Sequence, residues 1–310
     1  MTSLTVALAA REHQGLVVLL TADPSEAMNV EQELSFFLRD PELPVHHFPD
    51  RETLPYDGFS PAQDITSDRL AALHALPQLR RGVLVLPVRT AMHRLPPTGY
   101  IQGRVLNLRQ GDRFDPIRQR QLLEQAGYRH AETVLAPGEF ALRGAVMDVF
   151  PMGSVQPFRI DLLDDEIDTL RSFDPETQRS QQRFKEIRLL PGREMPLDEP
   201  AIALFRKHWH DTFTVDVRRC PVYQDVSQGV APAGIEYYLP FFFSHLDTIF
   251  EYLPPGALII VAPGATPAAE SFDVEARHRY DEHRHDVERP LLAPETLFLS
   301  SEDFFTRLHG

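Results

Sequence analysis

The sequence predicts an α/β fold with an α+β unit inserted between residues 105 and 190. Three observations predict it. Two short, unbroken apolar runs, Gly15–Leu20 and Gly82–Pro87, read as parallel strands buried on both faces. Helical spacing of apolar residues lies between them. After Tyr100 the pattern shifts to strand-like runs separated by polar turns, and Ala257–Val261 later returns to the buried-strand pattern.

Taken in order, Pro24 to Leu38 places Ala27, Val30, Leu34, Phe37 and Leu38 on one face of a helix. Val45 to Phe48 is a shorter strand. Ser60-Pro61-Ala62-Gln63 reads as a helix start, with Ser60 as N-cap, Pro61 in first position and Gln63 closing a capping box. Ile65, Leu70, Leu73 and Leu76 then form the buried face. Leu106 to Gly111 reads as a strand entering a turn, and Pro116 to Ala126 as a helix capped by Gly127. Three strand runs follow: Glu139 to Phe150, Phe158 to Leu163 and Ile167 to Phe173. The last two form an antiparallel hairpin about Asp164-Asp165-Glu166. Pro191-Gly192 and Met195-Pro196 mark the exit from the insertion. Ile202 to Trp209 is helical, an aromatic stretch spans Tyr237 to Phe243, and the chain from Thr266 onward reads as helical and solvated.

At roughly 100–200 residues per domain, 310 residues suggest two or three domains. Lys and Arg number 31 against 45 Asp and Glu, a net charge of −14, which argues against a DNA-binding surface spread over the chain. Only Lys185 and Lys207 are lysines, and neither follows a glycine. A Walker A loop, whose lysine reaches the outer phosphates, is therefore absent, as is an acidic-x-lysine nuclease core. Cys220 is the only cysteine, so no internal disulfide forms, which suits a reducing cytoplasm. No apolar run approaches the ~20 residues of a membrane span.

The residues offer little for catalysis. His278, His283 and His285 read as a solvated helix face rather than metal ligands, and His46-His47 and His208/His210 are no stronger. Asp164, Asp165, Glu166 and Asp168 read as a polar hairpin tip. Cys220 has no activating partner nearby in sequence. No nucleophile elbow, zinc-protease helix motif or dinucleotide loop is present, and neither a cofactor nor a metal site is expected. One surface stands out. Strand alternation over Phe158–Leu163 sets Phe158, Ile160 and Leu162 on one face and Arg159, Asp161 and Leu163 on the other. Arg143 could join the second set from a neighbouring strand. Arginine beside an exposed apolar group is the composition of an interface hot spot, although an ordinary solvated strand face would look the same.

Five segments carry a resemblance: Glu52–Pro61, Arg81–Val88, Arg143–Gly153, Asp164–Asp168 and Ala233–Tyr237. Together they resemble the N-terminal part of the bacterial transcription-repair coupling factors, from about Gly15 to the end of the chain. That part is similar to the excision-repair protein UvrB. The resemblance implies a UvrB-like α/β lobe over 1–104, an inserted α+β domain over 105–190 that binds UvrA, and a second lobe over 191–310 packing on the first. It implies that Arg143, Arg159 and Leu163 contact UvrA; Asp161 joins them on the same face. UvrB's long aromatic hairpin is replaced here by the short stretch Tyr56 to Asp64. The family's RNA polymerase-binding, translocase and C-terminal regulatory domains are expected beyond Gly310, with the C-terminal domain covering the UvrA-binding face. RNA polymerase and DNA would be met only through those parts, and some family residues before Gly15 would be missing. The implied role is non-catalytic recruitment of nucleotide excision repair in the cytoplasm. A degenerate nucleotide-binding domain and an autoinhibitory structural module are the alternatives.

Overall fold

The computed structural model describes residues 2–309. In the first third of the chain, α1 (Thr2–Glu12), β1 (Leu16–Thr21), α2 (Pro24–Phe37), β2 (Val45–His47), α3 (Gln63–Ala75), β3 (Gly82–Pro87), α4 (Val88–Ala91) and α5 (Thr98–Gly103) alternate. Next come β4 (Leu106–Arg109), α6 (Pro116–Ala126), β5 (Arg129–His130), β6 (Glu139–Arg143), β7 (Val146–Val149), β8 (Phe158–Leu163), β9 (Glu166–Phe173), β10 (Ser180–Phe184) and β11 (Glu186–Leu189). The remainder holds α7 (Glu199–Thr212), α8 (Pro221–Ser227), α9 (Ile249–Tyr252), β12 (Leu258–Val261), α10 (Ala265–His283), α11 (Pro294–Leu297) and α12 (Ser301–His309). The architecture is α/β, with a parallel four-stranded sheet, a largely antiparallel six-stranded sheet and a two-stranded antiparallel pair among the described residues.

The parallel sheet has the order β12-β1-β3-β2. Every residue of β1 and β3 is buried, because both faces are covered. Val17, Leu19, Val83 and Val85 pack with Ala27, Val30 and Leu34 of α2 and Val6 and Ala10 of α1. Leu16, Val18, Leu20, Leu84 and Leu86 face Leu70 and Leu73 of α3 in the main core. A strand covered on both sides has no polar face to alternate with, hence the unbroken apolar runs.

The second sheet has the order β10-β9-β8-β7-β6-β5, antiparallel except for the short β5–β6 pair. β4 pairs with β11, bringing the two ends of this segment together. Its inner face, with Phe140, Met147, Val149, Phe158, Ile160, Ile167 and Leu170, joins the main core beside Leu123 of α6. Gly127 ends α6 at a φ of +99°, a left-handed cap that glycine adopts without a Cβ penalty.

Four expectations are corrected. The helix starts at Gln63 with Ala62 as a cap that makes no side-chain bond. Ser60 instead donates to Glu236 at 2.9 Å and accepts from the Gly234 N–H at 3.0 Å, so a tertiary partner outcompetes the local cap. The run Glu139–Phe150 is two strands folded into a hairpin at Gly144, whose φ of +60° reverses the chain. Ala257–Val261 is not buried on both faces: β12 is an edge strand, and Leu258 is 40% exposed. The C-terminal region is helical but far from fully solvated, since Phe272, Leu297, Phe298, Leu299 and Phe304 are buried.

Candidate partner-binding face

The six-stranded sheet turns its outer face away from the core. Residues directly opposed on antiparallel strands share a face. The register therefore lines up Ala141, Asp148, Arg159, Arg171 and Arg183 across β6 to β10 in one outward row. A second row holds Arg143, Val146, Asp161 and Thr169. A bulge between Asp161 and Leu162 lets the inner face continue with Leu162 against Ile167 while Leu163 turns outward opposite Glu166. Arg159, Asp161 and Leu163 thus share one face, and Arg143 shares it too, two strands from Asp161.

The four residues differ in how they sit. Leu163 is 67% exposed, beside the hairpin tip. Asp161 is half-buried and already partnered: Thr169 Oγ1 donates to Oδ2 at 2.6 Å, and Arg171 donates Nη2 to the same oxygen at 2.6 Å. Arg143 directs Nη2 to the carbonyl of Glu132, in the loop before β6. Arg159 is the most constrained. Its Nε and Nη2 donate to the two oxygens of Asp148 at 2.7 and 2.9 Å, and Nη1 reaches the Gln178 carbonyl at 3.3 Å. The guanidinium carbon lies 4.9 Å from the centroid of the Phe173 ring. The hydrogen bonds that Arg159 donates to Asp148, together with the carboxylate's charge, raise the Arg159 pKa above its ordinary value despite partial burial. Alternation places Arg159 on the outward face; its fork there is already occupied by Asp148.

Part of this face is roofed over. Val134, in the loop after β5, packs on Ala141, Phe150 and Phe173, and Gln178 Nε2 donates to the Val134 carbonyl at 3.3 Å. The open part runs from the β8–β9 hairpin tip across to β10.

The crevice at the carboxyl ends of parallel strands is where α/β folds bind ligands. In this chain it is filled from within. Just past β2, Asp50 accepts from Arg89 Nε at 2.8 Å, Thr90 Oγ1 at 2.9 Å and the Glu52 N–H at 2.8 Å. Glu194 accepts from Arg69 Nε at 2.7 Å and Arg51 Nη2 at 2.5 Å, with all three side chains buried. Burial alone would raise the Glu194 pKa, but the charges of Arg51 and Arg69 outweigh it and lower the value to about 2. Beyond β1, the first turn of α2 is closed by carboxylates: Asp23 accepts from the Glu26 N–H at 2.9 Å, and Glu26 from the Ala22 N–H at 2.8 Å. A cavity of about 350 Å³ adjoins Glu194 and is lined also by Glu236, Arg193, Ser60 and Gln63.

The remaining candidates do not come together. His278, His283 and His285 are exposed on or just after α10, and among the described residues no group of three or more His, Cys, Asp or Glu could hold a metal ion. The Cys220 thiol is buried; burial and then Asp216 raise its pKa, away from thiolate reactivity. Among the described residues no helix is long and apolar enough to cross a membrane. Sequence reasoning missed the buried Arg51–Glu194–Arg69 group, whose carboxylate lies more than a hundred residues from either arginine. It also passed over Asp148, although a lone aspartate in an apolar strand was a usable signal.

Comparison with known proteins bears on these residues. Residues 106–195 match the UvrB interaction domain family. The whole chain is similar to transcription-repair-coupling factors. It is 44% identical to that of Escherichia coli (strain K12) over 306 residues, 98% of this chain and 26% of the relative. It is 42% identical to that of Haemophilus influenzae over 308 residues, 99% of this chain and 26% of the relative. Against that of Myxococcus xanthus it is 30% identical over 322 residues, 97% of this chain and 27% of the relative. The chain spans about a quarter of the length of these relatives. The chain carries a UvrB interaction domain and matches transcription-repair-coupling factors over nearly its whole length.

Proposed function

We propose that this chain binds UvrA through the outer face of the inserted sheet and so recruits nucleotide excision repair to RNA polymerase stalled at damage, turning over no ATP itself. The observation that carries the reading is the exposed Leu163 on the same strand face as the held guanidinium of Arg159, both within the residues that match the UvrB interaction domain. An exposed apolar group sharing one face with an arginine whose side-chain entropy is already spent suits a hot-spot surface. The reading divides the chain at about residues 104 and 190, with the inserted unit presenting the face and the two flanking lobes supporting it. RNA polymerase, DNA and a covering C-terminal domain would be engaged only through further parts of the family's full-length protein, in the cytoplasm.

The competing nucleotide-binding reading finds less support. Phosphate would have to displace Asp23 and Glu26 from the α2 N-terminus, and no P-loop lysine is available. Calorimetric titration of the chain with UvrA tests the proposal. A saturable complex that Arg159→Glu abolishes is expected, with no ATP turnover above a mock preparation. A chain that hydrolyses ATP, or that leaves UvrA unbound, would overturn it.

A further inference from the structure

The sheet register sets three arginines side by side: Arg159 on β8 opposes Arg171 on β9, which opposes Arg183 on β10. Opposed residues of this kind have Cβ atoms about 5 Å apart, and like charges there are destabilising. Two of the three are compensated inside the sheet, Arg159 by Asp148 and Arg171 by Asp161. Arg183 is exposed, and among the described residues no hydrogen bond or ion pair satisfies its guanidinium. The roof over the sheet rests on Ala141, Phe150 and Phe173 and leaves this end of the row open. A row of opposed cations that ends in an unpaired one and continues the face carrying Leu163 has the features of a binding surface.

We propose that the partner footprint extends beyond Arg143, Arg159 and Leu163 along the row to Arg171 and Arg183, and that it receives an acidic protein surface whose carboxylates meet Arg183. The proposal rests on the UvrA-binding reading. Arg183 stands two strand spacings from Arg159, about 10 Å, well within one standard interface. A protein partner is favoured over nucleic acid by the company the row keeps. Asp148 and Asp161 already neutralise two of its cations, and the exposed Asp164, Asp165 and Glu166 next to Leu163 would repel phosphates.

The experiment compares the whole chain with Arg183→Gln and Arg183→Glu, titrated against UvrA at low and physiological salt, with thermal melts of each. Arg183→Gln should bind about tenfold more weakly and Arg183→Glu more weakly still, mainly through slower association, with the deficit shrinking as salt rises. Melting points should hold or rise slightly, since the opposed like charge is removed. If Arg159→Glu loses UvrA while Arg183→Glu binds like the parent, the footprint stops short of β10 and the proposal is wrong. If Arg183→Glu instead loses affinity only for a plain DNA duplex, the row contacts nucleic acid and the proposal is equally overturned. A parent chain that does not bind UvrA removes the underlying reading, and this inference with it.

Discussion

The carboxylate of Asp148, 3% exposed, holds both fork nitrogens of Arg159 across the β7–β8 pair, at 2.7 and 2.9 Å. The bidentate bond that an arginine could offer a partner's carboxylate is already made within the chain. A partner would therefore meet the guanidinium edge-on or through its face beside Phe173, in an orientation fixed beforehand, or would compete with Asp148 for the fork. The pairing also changes what a substitution at Arg159 means, because it uncovers a carboxylate that has little access to water.

Arg159→Ala should weaken UvrA binding by about 2–4 kcal/mol, as loss of a central anchor does. It should also cost about 1–3 kcal/mol of folding stability, because Asp148 is left buried without its donors. That exceeds the ~0.5 kcal/mol expected for an ordinary exposed strand position. Urea unfolding of Arg159→Ala and of Asp148→Asn/Arg159→Ala separates the two effects. The double variant should regain part of the stability and none of the affinity. Unchanged unfolding of the single variant would show that Asp148 is well solvated.

Leu163→Ala should show affinity loss without instability. The side chain is 67% exposed, so truncation should change stability by less than about 0.5 kcal/mol. If Leu163 fills an apolar site on the partner, affinity should fall about tenfold, or ~1.4 kcal/mol. Calorimetry and a thermal melt on the same preparation decide it, and full affinity would remove Leu163 from the interface.

Glu194→Ala should destabilise the chain by about 3–5 kcal/mol, since Arg51 and Arg69 would remain buried as uncompensated charges. The expected reading is a large drop in urea midpoint. A loss below ~1 kcal/mol would mean that water or another carboxylate replaces Glu194.

The same carboxylate predicts an acid limb. Its pKa is lowered from 4.5 to about 2 in the folded chain, so folding favours the ionised form. The resulting stability is present above pH 4.5 and is lost as pH falls from there towards about 2. Asp50, lowered by Arg89 against the opposing effect of burial, acts in the same direction. Urea midpoints should decline through this window, and the decline should be shallower for Glu194→Gln. An identical acid slope in the variant would show that Glu194 does not carry the effect.

Elements whose signals are local were legible in advance. β1 and β3 were read from unbroken apolar runs, α6 from its spacing and Gly127, and the β8–β9 hairpin from two strands around a polar tip. α1, β5, β10 and β11 were not read. Ser180–Phe184 is mostly polar and exposed because β10 is an edge strand, so nothing in its composition marked it, and Arg183 went unread with it. Ser60 looked like a cap because local chemistry favours one there; its bonds to Glu236 and Gly234 belong to chain more than 170 residues away.

The sequence by itself determined the strongly patterned elements such as β1, β3, α6 and the β8–β9 hairpin, the absence of a phosphate-binding lysine, and which side chains of β8 share a face, because alternation and helical period depend only on neighbours along the chain. Tertiary structure decided what those side chains do. Only the register of β7 to β10 puts Asp148 under Arg159 and Arg183 at the end of an arginine row. Only the packing of residue 194 against α3 and the segment after β2 closes the crevice with buried ion pairs. Such contacts join residues far apart in the chain, whose mutual distance is set by which faces the core buries and by no local preference.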